Sequence, residues 1–224
     1  MNNYSKFLTF SYDDGIVQDK RLVEIFNEYG MKCTFNLNSG IMTPESRWVH
    51  KDSEVRRMTR EEMGDMYKGH EIACHFSTHA NPLELSEEQL EFEISDDIKK
   101  LSNMFECEIR GGAYPYGCYN DTVVKTLEKY GIRYYRTVES TGNFDVQTDL
   151  MRFKPTCHHN DPKLFEYAEQ FVNAEPEKPM IFYIWGHSYE FDGDGNWDRL
   201  EKLCKMLSGR NDICCCTNSE ALLG

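Results

Sequence analysis

Short apolar, β-branched runs alternate along the whole chain with longer segments in which apolar residues recur every three or four positions. The first pattern predicts buried strands and the second predicts amphipathic helices. Strands are predicted at 6–12, 31–40 ("MKCTFNLNSG"), 70–77 ("HEIACHFS"), 109–117 ("IRGGAYPYG"), 132–138 ("IRYYRTV"), 179–187 ("PMIFYIWGH") and near 213–217. About seven strand–helix units with short connections predict an α/β fold with a parallel sheet, and that number in one domain favours a barrel.

Capping signals mark the starts of several of the predicted helices. Thr59 precedes Glu62 by three residues and Ser86 precedes Gln89 by three, which is the capping-box spacing. The segment after Ser86 is predicted to be the longest helix. Further helices are predicted at 19–30, 121–130, after Asp161-Pro162 and at 197–208. We find no linker, repeat or low-complexity segment, so residues 1–224 are predicted to form a single domain.

The composition narrows the classes of partner. The chain has 224 residues, 40% of them hydrophobic, and contains no run of roughly 20 apolar residues long enough to cross a bilayer. Its net charge of −13 and scattered basic residues disfavour nucleic acid and membrane surfaces as partners. A small-molecule or oligosaccharide ligand is expected instead. No export signal is visible at the start of the sequence, so a cytoplasmic location is expected.

The nine cysteines are predicted to be reduced thiols, because their number is odd and the sequence shows no export signal. Three of them, 214–216, are consecutive. Neighbouring strand residues point to opposite faces, so these three are expected to be small residues of the last strand rather than metal ligands. The oligomeric state is not predicted.

Polar side chains follow the ends of the predicted strands, where active sites gather in parallel β/α folds. These side chains are Asp13, Asp14, His75, His79, Tyr116 and His187. Because the carboxyl ends of parallel strands meet at one edge, we expect these residues to line one site.

The spacing within this set predicts a metal site. His75 and His79 are four residues apart, and two neutral imidazoles with one carboxylate form a known catalytic zinc set, so Asp14 is the expected third ligand. Asp13 would then stay ionised beside the cation and could accept a proton from the attacking water. Zinc suits these ligands best, while nickel, cobalt or iron would also fit them.

These motifs together resemble the polysaccharide deacetylases with a NodB-homology domain, which are metal-dependent de-N-acetylases or de-O-acetylases of sugars. The resemblance runs from residue 6 to about residue 190 in the motif order "FSYDDG", "HFSTH", "AYPYG" and "WGH". It implies a distorted barrel of about seven β/α units.

The resemblance also implies a role for each matching residue. Asp13 would be the catalytic base, and Asp14, His75 and His79 would hold the metal. The backbone N–H of Tyr116 would help to stabilise the oxyanion, and His187 would protonate the departing amine.

The chain departs from the family pattern at three places. Ala113 stands where the third motif usually begins with an Arg that pairs with the base, and Trp185 replaces the usual Leu of the last motif. No copy of the fourth motif, which supplies an Asp and a Trp, is recognisable. Arg136 is a candidate replacement for the missing cation beside Asp13, although the spacing does not prove it.

Several residues near the predicted rim are candidates for substrate binding. They are Tyr114, Pro115, Arg136, Trp185 and His158. For His158 and its neighbour His159, local packing or hydrogen bonding is the favoured alternative to a place at the rim.

The sequence therefore predicts a metal-dependent hydrolase that removes acetyl groups, as amide or ester, from an N-acetylated sugar or oligosaccharide. One alternative keeps the site and changes the substrate to a non-sugar linear or cyclic amide. Another is a metal-bearing carbohydrate-binding protein that has lost catalysis. Ala113 and the missing fourth motif favour this last alternative, while Asp13 argues against it because a binding protein needs no general base.

Overall fold

The computed structural model describes residues 5–224. Its strands are β1 (Lys6–Asp13), β2 (Cys33–Leu37), β3 (Arg47–His50), β4 (Ser53–Arg56), β5 (Glu71–Cys74), β6 (Gly111–Ala113), β7 (Tyr134–Arg136), β8 (Cys157–His158), β9 (Met180–Gly186) and β10 (Ile213–Cys215). Its helices are α1 (Asp19–Glu28), α2 (Arg60–Met63), α3 (Glu87–Phe105), α4 (Asp121–Lys129), α5 (Leu164–Asn173), α6 (Tyr189–Asp194), α7 (Trp197–Leu207) and α8 (Asn218–Leu223).

The main sheet has the strand order β7-β6-β5-β2-β1-β9-β8, and β10 pairs with the first half of β1. Every ladder in this sheet is parallel. β1 lies at its centre and is buried along nearly its whole length, as expected for a strand covered on both faces. The α/β class and parallel sheet predicted from the sequence are confirmed.

The sheet curls into an irregular barrel whose outer strands are linked by the segment before β8. The backbone N–H of Phe153 donates to Tyr135 on β7, and that of Thr156 donates to Tyr183 on β9. One segment thus hydrogen-bonds to both sides of the gap between the sheet's outer strands. This arrangement confirms the predicted distorted barrel.

Local sequence explains most helix boundaries. Both predicted capping boxes are present, at Thr59 and at Ser86, and α3 is the longest helix that the structure describes. The segment after Thr59 forms a single helical turn, because Gly64 takes a positive φ of 48° and ends it. Strand β1 extends one residue beyond its predicted end, and the other predicted strands are shorter in the structure than the segments predicted for them.

Four elements were not predicted: strands β3 and β4, which form an antiparallel hairpin, and the short helices α6 and α8. All nine cysteines are free. Cys214 and Cys215 lie on β10 as expected but are only half-buried, whereas Cys216 is buried and directly follows the strand. Among residues 5–224, no helix has both the length and the apolar character that crossing a membrane would require. The assignment of residues 1–224 to one domain stays a prediction.

Candidate active site

A cavity of about 520 Å³ lies at the carboxyl ends of the central strands. Its lining residues are Asp13, Asp14, Trp48, Arg57, His75, His79, Tyr114, Tyr116, Val138, Trp185, His187 and Tyr189. All six residues that the sequence placed at the rim are therefore in one cavity. A larger cavity of about 680 Å³ surrounds the start of β5, at the opposite edge of the sheet, and none of these six residues lines it.

Asp14, His75 and His79 form a donor set suited to a divalent cation. One ligand atom from each lies within 4.8 Å of the other two, and His79 Nε2 is 3.7 Å from Asp14 Oδ1. His75 Nδ1 lies 2.6 Å from the carbonyl oxygen of Ala113, which can only accept a hydrogen bond. The neutral imidazole of His75 therefore carries its proton on Nδ1 and leaves the lone pair of Nε2 available to a metal.

The backbone is strained at three of the residues that line this cavity. Asp14, His79 and Tyr116 have φ angles of 87°, 58° and 58°, in the region that favours glycine. Each such residue costs about 1–3 kcal/mol, and such residues persist mainly where function requires them.

Arg57 balances the charge of Asp14. Its Nη2 lies 2.6 Å from Asp14 Oδ1, and Arg57 comes directly after the β3–β4 hairpin. Burial would raise the pKa of Asp14, but the Arg57 guanidinium and the nearby His187, His75 and His79 together lower it. Asp14 is therefore an ionised carboxylate, as a metal ligand must be.

Asp13 is held as a carboxylate by two side chains. Arg136 forms a buried ion pair with its Oδ2, and Asn36 Nδ2 donates to Oδ1 over 2.8 Å. Burial would raise the pKa of Asp13, but the charge and hydrogen bond of Arg136, together with His75 and His187, lower it to about 2. Arg136 thus occupies the place proposed for it from the sequence, next to Asp13.

The register of β6 and β7 explains how Arg136 reaches Asp13. Ala113, which stands where the family usually has Arg, is the register partner of Arg136 on the neighbouring strand. The cation therefore comes from one strand further along the sheet. The Arg136 guanidinium also lies over the ring of Trp185, 4.3 Å from its centroid. The residue that replaces the usual Arg of the third motif therefore contacts the residue that replaces the usual Leu of the last motif.

His187 faces Asp13 from the end of β9. Its Nε2 is 3.8 Å from Asp13 Oδ2, and its Nδ1 is 3.5 Å from Glu190 Oε1. Burial would lower the pKa of His187, but hydrogen bonding to Glu190 and the charges of Asp13 and Asp14 raise it to about 9. At neutral pH His187 is an imidazolium that can donate a proton.

Aromatic side chains form the walls of the cavity. Tyr116 is 66% exposed and packs its ring edge-on against His79, while Trp48 contacts Tyr189 edge-to-face with ring centroids 5.6 Å apart. Trp48 and Arg57 were missed by the sequence reasoning. The alternation in "RWVH" and "SEVR" was the available signal, but the connecting Lys51-Asp52 is not a typical hairpin turn.

The predicted substrate-binding residues divide into two groups. Trp185 and Tyr114 line the cavity, although the Tyr114 side chain is buried and its hydroxyl donates to Met151. Pro115, Arg136 and His158 are not among the lining residues. Arg136 contacts Asp13 instead, and His158 Nε2 lies 3.1 Å from Glu190.

Comparison with known proteins identifies the family. Residues 2–135 match the family model described as "Polysaccharide deacetylase". The chain belongs to the polysaccharide deacetylase family. The resemblance inferred from the four motifs is thereby confirmed.

A curated relative of this family is YxkH of Bacillus subtilis (strain 168), which carries a provisional polysaccharide deacetylase name. It is 29% identical over 137 residues, which are 60% of this chain and 45% of the relative. The chain therefore spans less than half of the length of that relative.

Two solved structures show the same fold. The Xyl-CE4 domain of a multidomain xylanase from the hindgut metagenome of Trinervitermes trinervoides superposes with a TM-score of 0.64 at 15% identity, covering 97% of this chain and 89% of that one. A family 4 acetyl xylan esterase from Clostridium thermocellum, in complex with a cobalt ion, gives a TM-score of 0.63 at 14% identity, covering 97% and 91%. At these identities the likeness concerns the fold.

Proposed function

We propose that the protein is a metal-dependent hydrolase that removes acetyl groups from an N-acetylated sugar or oligosaccharide. The observation that carries the proposal is the composition of one cavity. A His₂Asp donor set lies beside an ionised carboxylate, Asp13, which in turn faces a protonated imidazole, His187. A base and an acid next to a metal site are the groups that metal-assisted amide hydrolysis needs.

Asp14, His75 and His79 are the proposed ligands of the metal. Two imidazole nitrogens and one carboxylate oxygen match catalytic zinc, and the family neighbour with a cobalt ion supports a divalent cation of this kind. When bound, the cation would polarise the acetyl carbonyl and make a water molecule more acidic.

The remaining steps are assigned to the side chains of this chain. Asp13, kept ionised by Arg136, takes the proton of the attacking water. His187 gives its proton to the sugar nitrogen as the C–N bond breaks, so that acetate and a free amine are released. The backbone N–H of Tyr116 is the proposed donor to the oxyanion, and the aromatic walls, including Trp185, are proposed to stack on sugar rings.

Chelation and two variants test the proposal. We expect the zinc-loaded protein to release acetate from N-acetylglucosamine oligomers. This release should stop when a chelator is added and return when zinc is added back. Asp13→Asn is expected to lower kcat at least about 100-fold because it removes the base. The metal content of Asp13→Asn should stay at the native level, whereas His75→Ala should lose metal.

Three outcomes would contradict the proposal or its mechanism. Chelator-sensitive opening of linear or cyclic amides without acetate release from sugars would favour the non-sugar amidase. If no amide or ester is hydrolysed in a chelator-sensitive reaction, the alternative function as a carbohydrate-binding protein would be favoured. Full activity in Asp13→Asn would remove Asp13 from the mechanism.

A further inference from the structure

Three histidines converge on one carboxylate behind the cavity. His158 Nε2 and His159 Nε2 lie 3.1 Å and 2.9 Å from Glu190 Oε2, and His187 Nδ1 lies 3.5 Å from Glu190 Oε1. We call these four residues the Glu190 cluster. They come from three different parts of the chain, namely β8 with the residue after it, the end of β9, and α6.

The proton positions on two of these rings follow from their other contacts. The backbone N–H of Asn160 donates to His158 Nδ1 over 3.2 Å, so neutral His158 carries its proton on Nε2, the atom that faces Glu190. The Tyr12 hydroxyl lies 3.1 Å from His159 Nδ1. The Glu190 carboxylate, which lies next to His159 Nε2, can only accept hydrogen bonds. The Nε2 of His159 therefore also carries a proton, and Nδ1 accepts a hydrogen bond from the Tyr12 hydroxyl.

Packing holds His159 in this orientation. The ring is 1% exposed and stacks between Tyr12 and Phe191, with centroid distances of 5.6 Å and 4.2 Å. Gly186 makes room for it, since a Cβ at this position would lie 2.1 Å from His159 Nδ1. The glycine just before His187 therefore determines the position of one of the donors to Glu190.

The arrangement of protons argues against a second metal in this cluster. Ligand atoms of His158, His159 and Glu190 do lie within 4.8 Å of one another, as a metal site would need. However, the two ring nitrogens that face the carboxylate carry hydrogens and have no lone pair to offer. Both Nε2 atoms approach the same carboxylate oxygen, Oε2, which leaves Oε1 to face Nδ1 of His187.

We propose that Glu190, held in place by His158 and His159, is the positioning residue that orients His187 and keeps it protonated for its role as the acid. This inference rests on the proposed function. The charged and titratable groups around His187 come from four places in the fold: Asp13 at the end of β1 with Asp14 after it, Glu190 and Tyr189 on α6, His158 on β8, and His159 directly after β8. Of these, Glu190 is the only carboxylate that contacts Nδ1 among the described residues, which leaves Nε2 directed at Asp13 and the cavity.

The test compares Glu190→Gln with the native protein, both loaded with zinc. The pKa of His187 is measured by NMR on protein with isotope-labelled histidine, with the signal assigned from a His187→Asn sample. We expect Glu190→Gln to lower this pKa by at least one unit, a tenfold change in the proton affinity of the ring. The high-pH limb of kcat should move down by the same amount, while KM stays within about twofold because Glu190 does not touch substrate.

Two further variants make the result specific. His158→Leu removes one of the two donors to Glu190 and is expected to lower the pKa of His187 by less than Glu190→Gln does. Glu169 is an exposed carboxylate on α5, so Glu169→Gln should leave the pKa of His187 unchanged. The NMR readout needs no turnover, so a protein without deacetylase activity would refute the proposed function and still test the cluster.

An unchanged pKa of His187 in both Glu190→Gln and His158→Leu would overturn the inference. The inference would also be refuted if metal analysis found two equivalents of zinc in the native protein and only one in His158→Leu.

Discussion

Arg136 and Asp13 form a buried ion pair although they are 123 residues apart in the chain. The doublet Asp13-Asp14 was identifiable from sequence because two adjacent acids at the end of a buried strand are unusual. Arg136 could only be proposed, since its contact depends on the register that sets Ala113 opposite it. The Glu190 cluster was missed for a similar reason: its members meet only when β8, β9 and α6 are packed together.

Removing Arg136 should destabilise the protein strongly. Both partners of the pair are nearly fully buried, so Arg136→Met leaves the Asp13 charge unpaired and should lower the free energy of unfolding by about 3–5 kcal/mol. Adding Asp13→Asn should recover part of this loss, because the unpaired charge is then gone. Urea denaturation at pH 7 measures both variants, with the exposed Arg133→Met as control. A loss below about 1 kcal/mol in Arg136→Met would show that the buried charge is compensated by other groups.

At the scale of elements, the hairpin β3–β4 is the main feature that the sequence did not predict. The parallel strands were predictable because their apolar runs are buried on both faces. Strand β3 instead alternates between exposed and half-buried residues, and β4 buries only Val55. Lys51 at the turn takes a φ of 53° without being glycine or asparagine. The position of the hairpin is set by tertiary contacts. Val17 donates to the carbonyl of Arg56, and Lys51 forms an ion pair with Asp194 on α6.

The hairpin should contribute to substrate binding through Trp48. Trp48→Ala removes an aromatic wall of the cavity and is expected to raise KM about tenfold with a smaller effect on kcat, equivalent to about 1.4 kcal/mol of lost stacking. Val49→Ala is the matched control, because Val49 is the next residue on the same strand, is 69% exposed and does not line the cavity. Steady-state kinetics on acetylated oligosaccharides measure both variants. Equal KM values for Trp48→Ala and the native protein would show that Trp48 does not contribute to substrate binding.

At the scale of the whole molecule, Asp19 connects three distant segments. This residue of the first turn of α1 is fully buried and accepts hydrogen bonds from Ser188 Oγ at 2.6 Å and from Tyr67 Oη at 2.7 Å. Burial raises the pKa of Asp19 to about 7, despite the opposing effect of these two hydrogen bonds. The sequence predicted the helix that contains Asp19, but nothing in the local pattern indicates that a helix-start aspartate is fully buried.

Asp19 should make stability depend on pH. Its pKa in the folded state, about 7, exceeds the unfolded value of about 3.9, so the folded state binds the proton more tightly. The resulting stabilisation is complete below about pH 4 and is lost as the pH rises through about 7. Asp19→Asn, which is neutral at every pH, should therefore match the native protein at pH 4 and exceed its free energy of unfolding by up to about 4 kcal/mol at pH 8.

Urea denaturation across this pH range measures the effect, and the exposed Asp52→Asn is the control. Parallel stability curves for Asp19→Asn and the native protein would show that Asp19 stays ionised in the fold.

The attachment of the β3–β4 hairpin has a consequence for engineering. The proposed base and metal ligands lie at the ends of β1 and β5 and in the loop after β5, whereas Trp48 belongs to a segment that rests on the barrel from outside. We expect that residues 47–54, none of which is buried, can be exchanged for a longer or shorter loop while the buried Val55, Arg57 and the contact of Arg57 with Asp14 are kept. Such chimeras would separate the choice of substrate from the hydrolytic machinery, and one scaffold would accept differently shaped sugars.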